Sequence, residues 1–231
     1  MIATERFVFL HLHKSGGSFV NECLVKFVPG AQHIGYHLPR PLIPRAYAEL
    51  PVLGFVRNPW SYYVSWYHFQ KGHPRPNALF RILSEDGRLD FESTVANMLT
   101  IGTDDGLLDR ILAVLPPSYS NRGLNLPAFA LAPIRGTGLG FYGYLYRYLY
   151  GEIDDRVRIG RMEHLREELL ELMAATGQHA SAALRAYVHD AGPSNASEHV
   201  AYTEYYGPKL RELVRRCDAE IVDRHRYSFG A

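Results

Sequence analysis

The chain has 231 residues, 47% of them hydrophobic and 21% charged, with a formal net charge of +1. That is an ordinary globular composition, long enough to bury a proper core, with a single α/β domain over 1–231 as the default. The near-neutral balance gives no whole-protein case for nucleic acid or a membrane surface, so any anion site must be local.

Two cysteines, Cys23 and Cys217, fall on predicted helices far apart in sequence. They make no disulfide framework and read as buried small hydrophobes. The opening Met-Ile-Ala-Thr-Glu-Arg leads straight into the first strand, with no signal-peptide pattern. No apolar run is long enough to span a bilayer, so the expectation is a soluble, cytoplasmic chain without a membrane partner.

The run Phe7 to Leu12 reads as a buried strand, too short and too β-rich for a helix. Lys14-Ser15-Gly16-Gly17-Ser18 breaks it. Phe19, Val20, Cys23, Leu24, Phe27 and Val28 then recur at helical spacing, with Ser18 as the expected N-cap. Two glycines permit close approach of a ligand to the backbone. Helix-start N–H groups, one lysine and two hydroxyls make an anion cradle. It is not a Walker A loop, in which the lysine follows the glycines; here Lys14 precedes them. Taken alone, the same loop is equally a glycine turn beside a solvated lysine.

Pro29 to Pro51 is a proline-punctuated connection carrying His33 and His37. Val52 to Val56 then reads as a second buried strand. Arg57 stands at its end, followed by Asn58 as N-cap, Pro59 as first helical residue and a helix from Trp60 to Phe69. So the chain twice runs from a strand directly into a helix, each time with a cation at the junction. Open α/β sheets bind ligands at such carboxyl-terminal strand edges. Ser65 on the second helix can offer a hydroxyl where Arg57 delivers a guanidinium fork, a pairing suited to a terminal phosphate. Two phosphate sites on adjacent strands imply a nucleotide phosphorylated at two places.

Lys71 to Asn77 is a turn-rich boundary. Helical patterns follow from Leu79 to Leu115, clearest over Phe91 to Leu99 and Leu107 to Leu115, and Ser118 to Pro133 is loop-like. Gly136-Thr-Gly-Leu-Gly140 lacks the preceding strand of a dinucleotide fingerprint. The tyrosine-rich stretch Phe141 to Tyr150 is either an aromatic wall for a ligand or a core helix with hydroxyls at the surface; the second reading is preferred. Val157 to Met162 reads as a third parallel strand. A helix opened by Glu163 runs to Met173, and a last helix runs from Pro208 through Ile221. His11 and His13 have the spacing of two ligands on a strand, but no compact third ligand, CxxC or HExxH accompanies them, so no metal is expected.

His13-Lys14-Ser15-Gly16-Gly17-Ser18 resembles the 5′-phosphosulfate loop of sulfotransferases that use 3′-phosphoadenosine 5′-phosphosulfate (PAPS). Arg57-Asn-Pro-Trp-Ser-Tyr-Tyr-Val-Ser65 resembles their 3′-phosphate motif. The likeness continues in Gly160-Arg-Met-Glu163-His-Leu, and from Asn195-Ala-Ser197 through Tyr205-Tyr206 to Tyr227-Ser-Phe229; it is thin from Gly72 to Pro133. The chain departs from the family's more frequent residues at His13 (proline), at Ser15 or Ser18 (threonine) and at Tyr62 or Tyr63 (arginine). These changes bear on subfamily more than on cofactor.

The resemblance implies a P-loop NTPase-like three-layer α/β fold with a central, mainly parallel sheet flanked by helices. It implies PAPS as co-substrate without a metal, and an acceptor region in the helical stretch 72–133. Lys14 to Ser18 would hold the phosphosulfate, and Arg57 with Ser65 the 3′-phosphate. His37 is the first choice for the base and His33 the second. Lys14 would also stabilise the departing phosphate, which makes it catalytic with His37. The acceptor is a hydroxyl, with a carbohydrate favoured by the short histidine-bearing connection. The competing readings are a nucleotide kinase of P-loop descent and a non-catalytic nucleotide- or glycan-binding module on the same fold.

Overall fold

Residues 1–192 and 200–230 of the chain are described by a computed structural model. The motif residues Asn195-Ala-Ser197 lie outside them.

The elements run β1 (Ile2–Ala3), β2 (Val8–Leu10), α1 (Gly17–Phe27), β3 (Gln32–His33), β4 (Val52–Val56), α2 (Pro59–Lys71), α3 (Ala78–Leu83), α4 (Phe91–Thr100) and α5 (Asp105–Leu112). They continue with α6 (Ala128–Leu131), α7 (Phe141–Tyr150), β5 (Val157–Arg161), α8 (Leu165–Ala175), α9 (Ala182–Asp190), α10 (Pro208–Cys217) and α11 (Ala219–Arg224). The strands form one sheet in the order β3-β1-β2-β4-β5. The three longest strands are parallel, with Val8 opposite Val52, Leu10 opposite Gly54, and Val56 opposite Arg161. The two-residue strands β1 and β3 pair antiparallel at one edge. Sequence periodicity missed both, because two residues are too few to show an alternation.

The described chain divides into two compact units. The first comprises 1–57, 122–124 and the described residues from 147 to 192, and it holds the whole sheet. Side chains alternate across a strand. Phe7, Phe9, Leu53 and Phe55 therefore share one face, where they pack with Phe19, Val20, Cys23 and Leu24 of α1, Leu169 and Met173 of α8, and Leu184 and Val188 of α9. Cys23 belongs to this core as a small hydrophobe. On the other side of β4, a Cβ added at Gly54 would overlap the Tyr150 ring, whose hydroxyl donates to the Phe55 carbonyl at 3.0 Å.

The second unit comprises 58–121, 125–146 and the described residues from 200 to 230. Its centre is α2, where Asn58 accepts from the Trp60 and Ser61 amides and Pro59 opens the helix, as the sequence predicts. The helix is apolar on nearly all sides and buried to match. Trp60 donates through its indole to the Arg211 carbonyl at 3.0 Å, and Tyr206 donates to the Trp60 carbonyl at 2.7 Å. Phe229 meets the rings of Trp60, Tyr202 and Tyr206 edge-on. The C-terminal aromatic motif thus clasps the start of α2.

Three expectations need correction. Helix α1 starts at Gly17 with Gly16 as N-cap, so Ser18 is an exposed first-turn residue rather than the cap. The last helix breaks after Cys217: Asp218 is buried, accepts from the Tyr63 hydroxyl at 2.7 Å and the Gly143 amide at 2.8 Å, and the chain re-enters a helix at Ala219. Burial raises the Asp218 pKa to about 7. The tyrosine stretch is a core helix, and the hydroxyls of Tyr144, Tyr146 and Tyr150 are bonded within the protein rather than left at the surface. Tyr142, Tyr146 and Tyr150 repeat every fourth residue and are fully buried; Tyr146 bonds His225 at 3.0 Å and Tyr144 donates to the Ala130 carbonyl.

Gly54→Ala should lower stability by about 2–4 kcal/mol, from overpacking against Tyr150 plus the loss of its hydrogen bond. Tyr150→Phe, which loses only the hydrogen bond, should cost about 1 kcal/mol. Chemical denaturation of both variants checks the difference.

Candidate active site

Parallel pairing of β2 with β4 sets both carboxyl-terminal strand ends at the same sheet edge. The chain after β2 runs through His11 to Gly16 before α1 begins, and the chain after β4 reaches Arg57 one residue on. Lys14 sits in the left-handed region at φ 55. That conformation costs a non-glycine residue about 1–2 kcal/mol, the kind of local strain that concentrates at functional positions. Gly16 takes the same region at φ 77, where its missing Cβ also makes room for the Leu165 side chain at the start of α8. A Cβ at Gly17 would overlap the His11 imidazole. The two loop glycines are therefore fixed by close packing as well as by backbone conformation.

The helix ladder opens with Phe19 and Val20, both donating to the Gly16 carbonyl. The Gly17 and Ser18 amides come before it, at the positive end of the helix dipole. Ser15 is buried, and its hydroxyl donates to the His13 carbonyl at 3.2 Å, tightening the loop.

Arg57 and Lys14 meet. The guanidinium of Arg57 approaches the Lys14 carbonyl at 3.4 Å. Burial, and then the positive charge of Arg57, lower the Lys14 pKa from 10.5 to about 8. The two motifs are 43 residues apart in sequence, yet the sheet brings the Arg57 guanidinium onto the Lys14 backbone. An anion beside the two cations relieves their repulsion. Ser65 lies on α2 and is buried. Tyr62 and Tyr63, one of which stands where sulfotransferases often carry an arginine, are fully buried. Tyr62 stacks on Tyr142 at 3.6 Å, and Tyr63 donates to the buried Asp218 carboxylate, so both are packed into the core.

The two candidate bases separate. His33 lies on the edge strand β3, partly exposed, against the edge of Tyr36. Burial and the Arg122 charge lower its pKa. His37 is buried beside the loop, with its Nδ1 2.8 Å from the His11 carbonyl. A carbonyl only accepts, so Nδ1 carries the proton and Nε2 carries the lone pair. Burial lowers the His37 pKa to about 4, which keeps the ring neutral near pH 7. Its backbone is held as well: Tyr36 N donates to Arg122 O at 2.8 Å and His37 N to Gly123 O at 3.1 Å.

Two features escaped the sequence. One is the short segment Arg122–Leu124, which joins the sheet-bearing unit through those backbone bonds. The other is the imidazole cluster. His13 stacks on His37 at a centroid distance of 3.5 Å and 22°, and His11 meets His37 edge-on at 4.6 Å. The spacing of His11 and His13 was the available signal, but nothing local announces that a third imidazole joins them across 24 residues. Among the described residues no group of three His, Cys, Asp or Glu side chains is arranged to hold a metal ion.

No protein-family model matches the chain, and no curated protein matches it in sequence. Among solved structures it is similar to the mouse sulfotransferase SULT7A1 complexed with PAP. The TM-score is 0.53 at 13% identity, covering 98% of this chain and 87% of that one. The chain has the sulfotransferase fold. A sulfotransferase from Alicyclobacillus acidocaldarius is similar at a TM-score of 0.44 and 14% identity, over 96% of this chain and 94% of that one. No described helix of this sulfotransferase-fold chain is long and apolar enough to cross a membrane.

Two outcomes check the site. NMR of reductively methylated lysine should find Lys14 titrating near pH 8, and Arg57→Ala should move it upward. Gly17→Ala, a change that favours an unpacked helix by about 1 kcal/mol, should here destabilise by about 1–3 kcal/mol because the methyl meets His11. Thermal unfolding reads that sign.

Proposed function

We propose that this protein is a sulfotransferase that moves the sulfuryl group of PAPS to an acceptor hydroxyl, with a carbohydrate as the favoured acceptor. The observation that carries the reading is the convergence of Lys14 and Arg57 at one end of the parallel sheet. A doubly phosphorylated nucleotide needs both cations, and each stands at the start of its own strand-to-helix turn. The fold shared with a sulfotransferase complexed with PAP is compatible with the same ligand here.

In this reading PAPS supplies the sulfuryl group. Lys14 and the amides of the loop through Ser18 hold the phosphosulfate, with Ser15, Gly16 and Gly17 shaping the cradle. Arg57 and Ser65 hold the 3′-phosphate. His37 accepts the hydroxyl proton at Nε2 as the acceptor oxygen bonds to sulfur and the bond from sulfur to the bridging oxygen breaks. Lys14 and the helix-start amides stabilise the charge that develops on that oxygen. The low pKa of His37 keeps Nε2 unprotonated, and negative charge on a bound nucleotide raises its proton affinity at the moment of use. The helical stretch 72–133 is assigned to shaping the acceptor site.

Calorimetry with 3′,5′-ADP, 5′-AMP and Mg-ATP tests the reading first. 3′,5′-ADP should bind best; preference for Mg-ATP would move the protein to the kinases. Arg57→Ala should weaken 3′,5′-ADP binding about 10- to 100-fold, the worth of a charge-assisted hydrogen bond, and leave 5′-AMP almost unaffected. Lys14→Ala should slow turnover with labelled PAPS about 100- to 1,000-fold while part of the nucleotide binding survives.

The pH dependence has a definite sign. Lys14 titrates near 8 in the free protein, and a bound anion raises that value. Affinity is therefore full below about pH 8 and falls as pH rises through the bound pKa. Calorimetry at pH 8–9 in buffers of different ionisation enthalpy should detect proton uptake, and Lys14→Arg should abolish it.

A further inference from the structure

His37 is held on several sides. His11 fixes its tautomer through the carbonyl, Gly123 fixes its backbone, and His13 covers one face of its ring. The first two contacts leave the imidazole free to rock about the axis of its Nδ1 hydrogen bond. Only a flat group against the ring face opposes that motion. The rings of His13 and His37 are 3.5 Å apart and within 22° of parallel, whereas His11 touches the edge at 65°.

We propose that His13 is a positioning residue, whose imidazole laid face to face on His37 fixes the plane of the base beside the phosphosulfate loop. The proposal rests on the reading of His37 as the base. His13 is one residue before Lys14, so the same loop carries the group that holds the nucleotide and the group that aligns the base. His13 keeps part of its surface exposed, but its imidazole is enclosed closely enough that burial, and then His37 and Lys14, hold its pKa well below 6.5. The other titratable or charged groups facing His37 are His11, Tyr36 and the amino group of Met1. None of them covers the ring face that His13 covers.

The test uses two variants of the full chain. His13→Phe keeps a flat ring and removes the titratable nitrogens; His13→Ala removes the ring. Should His13→Ala fail to fold, His13→Leu takes its place, filling the space without a flat face. Long-range 1H–15N spectra read the His37 ring directly. In the wild type and in His13→Phe, His37 should remain neutral with Nδ1 protonated down to about pH 5. In His13→Ala its titration should move up towards 6.5, because one face is uncovered; His13→Leu keeps that face covered, so kcat is its readout. In the labelled-PAPS assay, His13→Phe should keep kcat within about three-fold, and His13→Ala should lower it about 10- to 100-fold at little change in KM for PAPS. Equal His37 titrations in the wild type and His13→Ala, or equal kcat for His13→Phe and the variant without the ring (Ala or Leu), would overturn the proposal. If the wild type transfers no sulfuryl group, the function assigned above fails, and the His37 spectra still decide whether His13 positions it.

Discussion

The parallel register of β2 against β4 is the constraint on which the site depends. Parallel strands point their carboxyl ends the same way, so the residues that follow each strand emerge at one edge. Val8 opposite Val52 and Leu10 opposite Gly54 fix how far each strand reaches. A slip of one residue would turn Phe9 and Phe55 out of the core they share with α1, α8 and α9. Hydrophobic burial on one face thus secures the register, and the register delivers Lys14 to Arg57. The cations meet because of apolar packing beneath them, and their mutual repulsion works against it.

That repulsion is carried locally. A left-handed Lys14, a lysine pKa near 8 and a pair of glycines locked by Leu165 and His11 are each unfavourable or intolerant of change. In the proposed function each serves the bound anion. Strain already holds Lys14 in place, and partial desolvation strengthens its field. The imidazole cluster obeys the same logic with the opposite charge requirement. Burial, and after it the positive amino group of Met1, keep His37 neutral, so the lone pair is present.

The sequence revealed the parts of this site that are local. Lys14-Ser15-Gly16-Gly17-Ser18 and Arg57-Asn58-Pro59 are each complete within a few residues, and their strands and helices form where apolar spacing and capping chemistry put them. Asn58 caps α2 as predicted, and β5 pairs parallel with β4 over Val157 to Arg161. Longer-range features were illegible. The two-residue strands carry no periodicity. The cap of α1 moved from Ser18 to Gly16 because the loop turns through left-handed backbone, which side-chain chemistry alone does not encode. The break at Asp218 is set by Tyr63 and Gly143, which lie far away in sequence. The sequence sets His13 in the loop and two residues from His11, but its stacking on His37 arises only when the fold brings the two rings together.

The donor chemistry gathered around the loop bears on the choice between sulfuryl and phosphoryl transfer. Phosphoryl transfer from ATP concentrates charge on a γ-phosphate, and the proteins that perform it bring carboxylates to hold magnesium there. Around Lys14 this chain brings ammonium, guanidinium, hydroxyl and neutral imidazole. A sulfuryl group in transfer carries less negative charge than a phosphoryl group, so fixed cations and helix-start amides are matched to it. Placing the lysine before the glycines agrees with this. Lys14 enters from the strand side, beside Arg57, with its own backbone already turned into the left-handed region.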